Sequence, residues 1–418
     1  MDTAQGARST TGLVLTGGGA RAAYQVGVLG AIAQIRRDCA AAPSNPFPVI
    51  TGTSAGAINA AVLACGSDDF DGTAAALHDV WWNFSAEQVY RADAFKMVRT
   101  GARWMTMFTI GWAITRWRRA RPRSLLDNAP LQELLTRMVQ PQRLQAMMNE
   151  GHLDALAVTA SSYGSGRHVT FYDARQDIVP WTRSQRIAVR ERVTVAHLLA
   201  SSAIPFVFPA MSLGLHGQSE YFGDGSMRQS APISPAIHLG AKRILVIGAG
   251  RMHEPPGQRV VSADYPSPAQ IAGHALSSIF LDALAFDVER LRRINATLAL
   301  LPEAARAATA LRPIEVLVIA PSQRLDDIAA RHVQSLPPAV RAMLRGVGVS
   351  GEGQGGRGAA LASYLLFEAP YTRELIALGA ADTLARRDHV ADFFGWDRRA
   401  QRRSVPEPST FERDNRPG

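Results

Sequence analysis

The chain has 418 residues, 47% hydrophobic and 19% charged, a globular composition that excludes a disordered, collagen-like or fibrous protein. Its net charge is +9, from 45 basic against 36 acidic residues, and every basic residue except Lys96 and Lys242 is an arginine. Two cysteines, Cys39 and Cys65, exclude a multi-bridge scaffold and lack zinc-site spacing; with no apolar stretch in the polar first twelve residues, a reducing, cytoplasmic setting is expected.

Residues 1–11 read as a flexible lead. Leu13-Val14-Leu15-Thr16 is then a short buried strand, followed at once by Gly17-Gly18-Gly19. From Ala20 the apolar residues recur at Val26, Leu29 and Ala33, with Val28, Ile32 and Ile35 alongside, which predicts a helix buried over most of its circumference. Pro43, Pro46 and Pro48 break it. Val49-Ile50-Thr51 leads into Gly52-Thr53-Ser54-Ala55-Gly56 and a second helical run over 57–65. Further strands are predicted at 155–159, 169–172, 244–247 and 315–319, separated by stretches of helical spacing. This alternation predicts an α/β fold with a mostly parallel central sheet and helices on both faces. One large domain, 12–395, is expected to carry a Trp/Arg-rich insertion at 94–123 and a mobile glycine-rich loop at 346–358. A basic, flexible tail follows at 396–418.

Gly52-Thr53-Ser54-Ala55-Gly56 fits G-x-S-x-G, with a strand before and a helix after, the context of a nucleophile elbow. The turn exposes Ser54 Oγ, and the flanking glycines remove the crowding that a Cβ would cause. The loop Gly17-Gly18-Gly19 offers consecutive N–H groups at a helix start, where unpaired donors and the helix dipole favour an anion such as an acyl-transfer oxyanion. Gly17, Gly19 and Ala22 also fit G-x-G-x-x-A, so a nucleotide-binding module is a competing reading. Against it, Asp38 has about the spacing of a ribose-binding acid but lies before the proline break rather than at a strand end. For the base, an α/β-hydrolase triad would draw on His389 or His238 after Asp224, yet Ser54 follows only the second strand, early for that fold. Asp224 itself sits in Tyr221-Phe222-Gly223-Asp224-Gly225-Ser226, an aromatic run into an Asp-Gly turn.

The glycine loop with Ala20 and Arg21, the elbow, the segment Ala200-Ser201-Ser202-Ala203-Ile204-Pro205 and the Asp224-Gly225 turn, in this order, resemble the patatin-like phospholipase family. The resemblance runs from about residue 12 to about 378. It implies a Ser–Asp dyad without histidine, with Ser54 as nucleophile, Asp224 as base, Gly17, Gly18 and Gly19 as the oxyanion loop and Arg21 as that loop's support. It also implies lipid esters as substrates, in reactions of phospholipase A or lysophospholipase type. Ala22 stands where the family has glycine, and Ser226 where it has glycine or alanine; both are small.

An aspartate of ordinary pKa, about 3.9, is a poor base towards a hydroxyl, so burial must raise it, and Tyr221 and Phe222 are the residues expected to exclude water. In the insertion, an uncharged run over 105–115 is too short to span a bilayer. Trp104, Trp112 and Trp117 beside Arg116, Arg118, Arg119, Arg121 and Arg123 suit peripheral contact with an anionic membrane, slightly ahead of a solvated helical cap with buried tryptophans and well ahead of nucleic acid. Ser67-x-Asp69-x-Asp71-Gly72 follows a calcium-loop spacing but has Ser67 at position one and His78 at position twelve. Neither a metal nor a cofactor is expected.

Overall fold

The computed structural model describes residues 10–91, 124–252, 265–346, 348–349 and 358–396. The insertion at 94–123, most of the glycine-rich loop and the tail after Trp396 lie outside the described residues.

Ten strands form one sheet: β1 (Thr11–Leu15), β2 (Val49–Thr53), β3 (Ala155–Ser162), β4 (His168–Ala174), β5 (Thr182–Arg183), β6 (Arg186–Arg190), β7 (Met211–Leu215), β8 (Gln218–Asp224), β9 (Arg243–Ile247) and β10 (Glu315–Ile319). Their order is β10-β9-β1-β2-β3-β4-β6-β5, with β8 joined to β3 and β7 to β8. From β10 to β3 every pairing is parallel. The sheet turns mixed beyond that, since β4 and β8 both run antiparallel to β3.

Strand alternation assigns the two faces. Leu13, Leu15, Ile50, Leu156, Val158, Leu245 and Ile247 belong to the larger core on one side, while Val14, Ile244 and Val246 belong to a smaller one on the other. The larger core is covered by α1 (Ala23–Asp38), α2 (Ala55–Cys65), α3 (Phe70–Trp82) and, from further along the chain, α4 (Val195–Ser201). The smaller one receives Leu284, Val288 and Leu291 of α5 (Ala283–Leu300). The last part of the described chain supplies α6 (Leu325–His332), α7 (Ala359–Ser363) and α8 (Ala369–Leu384), and α8 packs along α1. Among the described residues no helix is long and apolar enough to cross a membrane.

Several expectations shift in detail. The first strand ends at Leu15 rather than Thr16, and the predicted helix from Ala20 begins as a 3₁₀ turn, Gly19–Ala22, before α1. The second helix starts at Ala55, two residues early. Four strands, β5 to β8, were not foreseen. Their outward positions are polar or half-exposed, so they lack the apolar run that marks a buried strand.

Candidate active site

Ser54 follows the last residue of β2 and precedes the first of α2, with φ 56° and ψ −131°. A non-glycine residue at positive φ costs about 1–3 kcal/mol and persists only where the surroundings impose it. Here they do. Gly56 lies against β1 so closely that a Cβ would stand 2.4 Å from Leu15 O, and at Gly52 one would stand 2.5 Å from Ala57 Cα. Thr53 Oγ1 lies 2.7 Å from Thr159 Oγ1 and accepts from Gln229 Nε2 at 2.8 Å.

The register of β3 brings the acid to the serine. One edge of β3 pairs with β2 up to Thr53↔Thr159, and from the next residue it pairs with β8, beginning Ala160↔Asp224. Because β8 is antiparallel to β3, the C-terminal ends of β2 and β8 meet head-on along one edge. Ser54 and Asp224 are the residues at that junction. Ser54 Oγ donates to Asp224 Oδ2 at 2.6 Å, and both side chains are buried. Asp224 Oδ1 accepts from Ser226 N–H at 2.9 Å, as a turn aspartate does. At Gly225 a Cβ would stand 2.2 Å from Thr159 O, so the turn after the acid admits no side chain.

Burial carries the Asp224 carboxyl from its ordinary 3.8 up to about 6, against the downward pull of hydrogen bonds from Ser54 and Ser226. Of the two aromatic residues expected to exclude water, one does so. Phe222 is fully buried against Phe171, but Tyr221 points the opposite way along β8 and is 60% exposed. Tyr163, itself half-exposed, lies against Gly223 and feels the Asp224 charge.

The segment 200–205 grips both residues of the pair. Ser201 Oγ accepts the Ser54 N–H at 2.8 Å, and the Asp224 N–H donates to Ala203 C=O at 3.0 Å. Sequence reasoning had found the segment without its task. Ser201 was named only as part of that segment, Thr159 only as a strand residue and Gln229 not at all, since nothing local marks a serine, threonine or glutamine as bonded across more than a hundred residues.

The glycine loop follows β1. Gly19 has φ 56°, and a Cβ there would stand 2.3 Å from Tyr364 O. Ala20 N–H donates to that same Tyr364 carbonyl at 3.1 Å, and Arg21 N–H to Gly18 C=O at 3.1 Å. A buried chain ties the loop to the elbow helix: Gln25 Nε2 donates to Thr16 C=O, Asn59 Nδ2 to Gln25 Oε1 and Trp81 Nε1 to Asn59 Oδ1. Arg21 is 2% exposed; its guanidinium donates to Ser363 Oγ at 2.8 Å and Asp326 Oδ1 at 2.5 Å, and lies 4.1 Å over the Tyr364 ring.

Gly19, Ser54 and Ala55 line a narrow apolar slot together with Leu77, Trp81 and Leu134. His389 is on the surface, and His238 stacks on Trp181 and contacts Arg183 and the Ser234 carbonyl. Neither histidine touches Ser54 or Asp224. Asp38 ends α1 and pairs with Arg387. The calcium-like spacing is structural: Asp69 caps α3, Asp68 pairs with Arg143 and Asp71 with Arg36 and Arg37. Among the described residues no acidic, histidine and cysteine cluster could hold a metal ion.

A strained serine elbow after the second strand of a largely parallel sheet, with a buried acid and an apolar slot, defines an acyl-hydrolase class of α/β protein. The family model for patatin-like phospholipases matches residues 13–237, just over half of the chain, and the chain belongs to that family. It is an ester-hydrolysing lipid hydrolase. Among solved structures it is similar to VipD from Legionella pneumophila, at 12% identity and a TM-score of 0.30 over 88% of this chain and 67% of that one. It is also similar to human GIVD cytosolic phospholipase A2 in complex with methyl gamma-linolenyl fluorophosphonate and terbium chloride, at 12% identity and a TM-score of 0.39. That match covers 93% of this chain and 59% of the human one. No curated protein matches the chain.

Proposed function

We propose that the chain hydrolyses phospholipid or lysophospholipid esters with a two-residue Ser54–Asp224 machinery. The observation that carries the reading is the 2.6 Å hydrogen bond between Ser54 Oγ and Asp224 Oδ2 at the head of the apolar slot. Ser54 Oγ attacks the ester carbonyl while Asp224 takes its proton and passes it to the leaving alkoxide, which departs as the alcohol; Asp224 then takes a proton from the water that attacks the acyl-enzyme and returns it to Ser54 Oγ as the fatty acid leaves. The acyl chain lies in the slot, where its burial supports binding at about 0.8 kcal/mol per methylene.

The oxyanion falls to the glycine loop. With the Ala20 and Arg21 N–H groups already engaged, the loop donors left among the described residues are those of Gly17, Gly18 and Gly19. Losing one such donor typically slows acyl transfer about 100- to 1000-fold. Arg21 acts through the loop rather than on substrate, by holding it against α6 and α7. The insertion at 94–123 serves peripheral contact with anionic membrane.

A fluorophosphonate probe with peptide mapping tests the nucleophile: the label falls on Ser54 and is lost in Ser54→Ala. Folded wild-type protein that takes no label sinks the reading. For the membrane contact, vesicle flotation compares the wild type with a variant carrying Arg118→Glu, Arg119→Glu and Arg121→Glu. The variant floats less with anionic vesicles, and equal flotation removes that part of the proposal.

A further inference from the structure

A second cavity lies at the same end of the sheet as the dyad, on the face covered by α5. It holds about 650 Å³, is open to solvent, and has Arg186, Arg228, Ser226, Gln229 and Ile279 in its wall. The register explains its position. Arg186 opens β6 beside His168 of β4, and His168 faces Ser161, the β3 residue next to the one that pairs with Asp224.

The wall carries charge of one sign. Burial, and then the nearby Arg290, push the Arg186 guanidinium below its ordinary pKa; Asp287 opposes them and Arg183 adds to the push. Asp287 is already engaged, accepting from Ile233 N–H at 3.0 Å and from Arg290. Arg183 donates to Thr182 C=O and contacts His238. Among the described residues neither Arg186 nor Arg228 forms an ion pair, and Asp287, the carboxylate that acts on Arg186, is shared with Arg290 and Ile233. Arg186 is half-buried, and partial desolvation of a cation without a paired carboxylate is unfavourable unless an anion arrives; Arg228 adds a second, more exposed guanidinium to the same wall.

We infer that this cavity binds a phosphoryl group, gripped by Arg186 and Arg228 and carried either by a soluble organic phosphate or by a lipid headgroup. Two guanidinium forks match the oxygens of a doubly charged phosphoryl group better than those of a single carboxylate. The volume exceeds that of a bare ion, and Met227, Ile279 and Ala283 give the organic remainder an apolar wall. The occupant also reaches the reaction centre through the backbone. Ser226 donates its N–H to Asp224 Oδ1, and Gln229 donates to Thr53 Oγ1, beside Ser54. Ordering of residues 226–229 by a ligand therefore bears on both ends of the dyad. The site is separate from the acyl-hydrolase reading and does not depend on it.

Calorimetric titration of the full chain tests the inference with three probes: inorganic phosphate, glycerol 3-phosphate, and phosphatidylcholine vesicles with and without phosphatidic acid. Saturable binding of at least one phosphorylated probe is expected, weakened about tenfold or more in Arg186→Gln and in Arg228→Gln and unchanged in Ser54→Ala. Binding of glycerol 3-phosphate assigns a soluble ligand; binding confined to phosphatidic acid vesicles, and lost in both variants, assigns a headgroup. Arg228 is exposed, so its variant keeps the test decisive if Arg186→Gln misfolds. No binding of any probe, or wild-type affinity in Arg228→Gln, overturns the inference.

Discussion

Asp224, buried with its pKa raised, ties the proposed activity and the stability of the fold to pH in opposite directions. Its pKa rises to about 6 because burial penalises the charged form. As the proposed base it must be ionised, so kcat/KM of the wild type is expected to climb as pH passes through about 6. The folding balance runs the other way. Between the unfolded value near 3.8 and the folded value near 6 the native state holds the extra proton. The carboxyl therefore contributes stability below that window, and the contribution is lost as pH rises through the folded pKa. Asp224→Asn has the same shape and no charge to desolvate. The variant is expected to lose nearly all activity while gaining roughly 1–3 kcal/mol in urea unfolding at a pH of about 8, with little gain near pH 4. A variant less stable than wild type at both pH values refutes this account of the shift.

At the scale of elements, α1 and α8 meet through their smallest residues. A Cβ at Gly27 would stand 2.0 Å from Ile376 O, and one at Gly379 would stand 2.2 Å from Tyr24 O, so backbone lies on backbone. Three residues on, Gly30 has nothing within 4 Å of its Cβ position. The same substitution on one helix is expected to change sign. Gly27→Ala destabilises by about 1–3 kcal/mol or more through overpacking, whereas Gly30→Ala stabilises by about 0.5–1 kcal/mol through helix propensity. Denaturant midpoints of the two variants check it; equal shifts refute the close packing. The sequence made α1 legible because its apolar residues repeat at helical spacing, but it could not show which glycine faces a neighbour. The same limit applies to the sheet. β1, β2, β3, β4, β9 and β10 are apolar runs between turn signals and were readable. β8 is polar along most of its length, and no local pattern reveals that it abuts β2 on β3, although that junction is what joins Asp224 to Ser54. The motifs thus named Ser54 and Asp224, while long-range register decides that they meet.

At the scale of the whole molecule, the glycine loop is held by chain well beyond residue 237, where the family match ends. Tyr364 accepts the Ala20 N–H, Ser363 and Asp326 bind Arg21, and α8 covers α1. We infer that residues 12–395 fold as one unit, in which the C-terminal helices act as the clamp of the oxyanion loop. Asp326 tests the clamp without touching substrate. Arg21 is buried and Asp326 is 25% exposed, so Asp326→Ala leaves a buried guanidinium with only Ser363 Oγ, the Ala360 carbonyl and the Tyr364 ring. Removing one partner of a buried pair costs about 3–5 kcal/mol, and partial exposure places this case near the lower end, at about 2–3 kcal/mol. The variant should unfold at lower denaturant and, where still folded, label more slowly with fluorophosphonate, because the proposed oxyanion loop has lost its anchor. Asp326→Asn keeps an acceptor for Arg21 and is expected to recover part of both losses. An Asp326→Ala protein with wild-type midpoint and wild-type labelling rate would separate the loop from its C-terminal support.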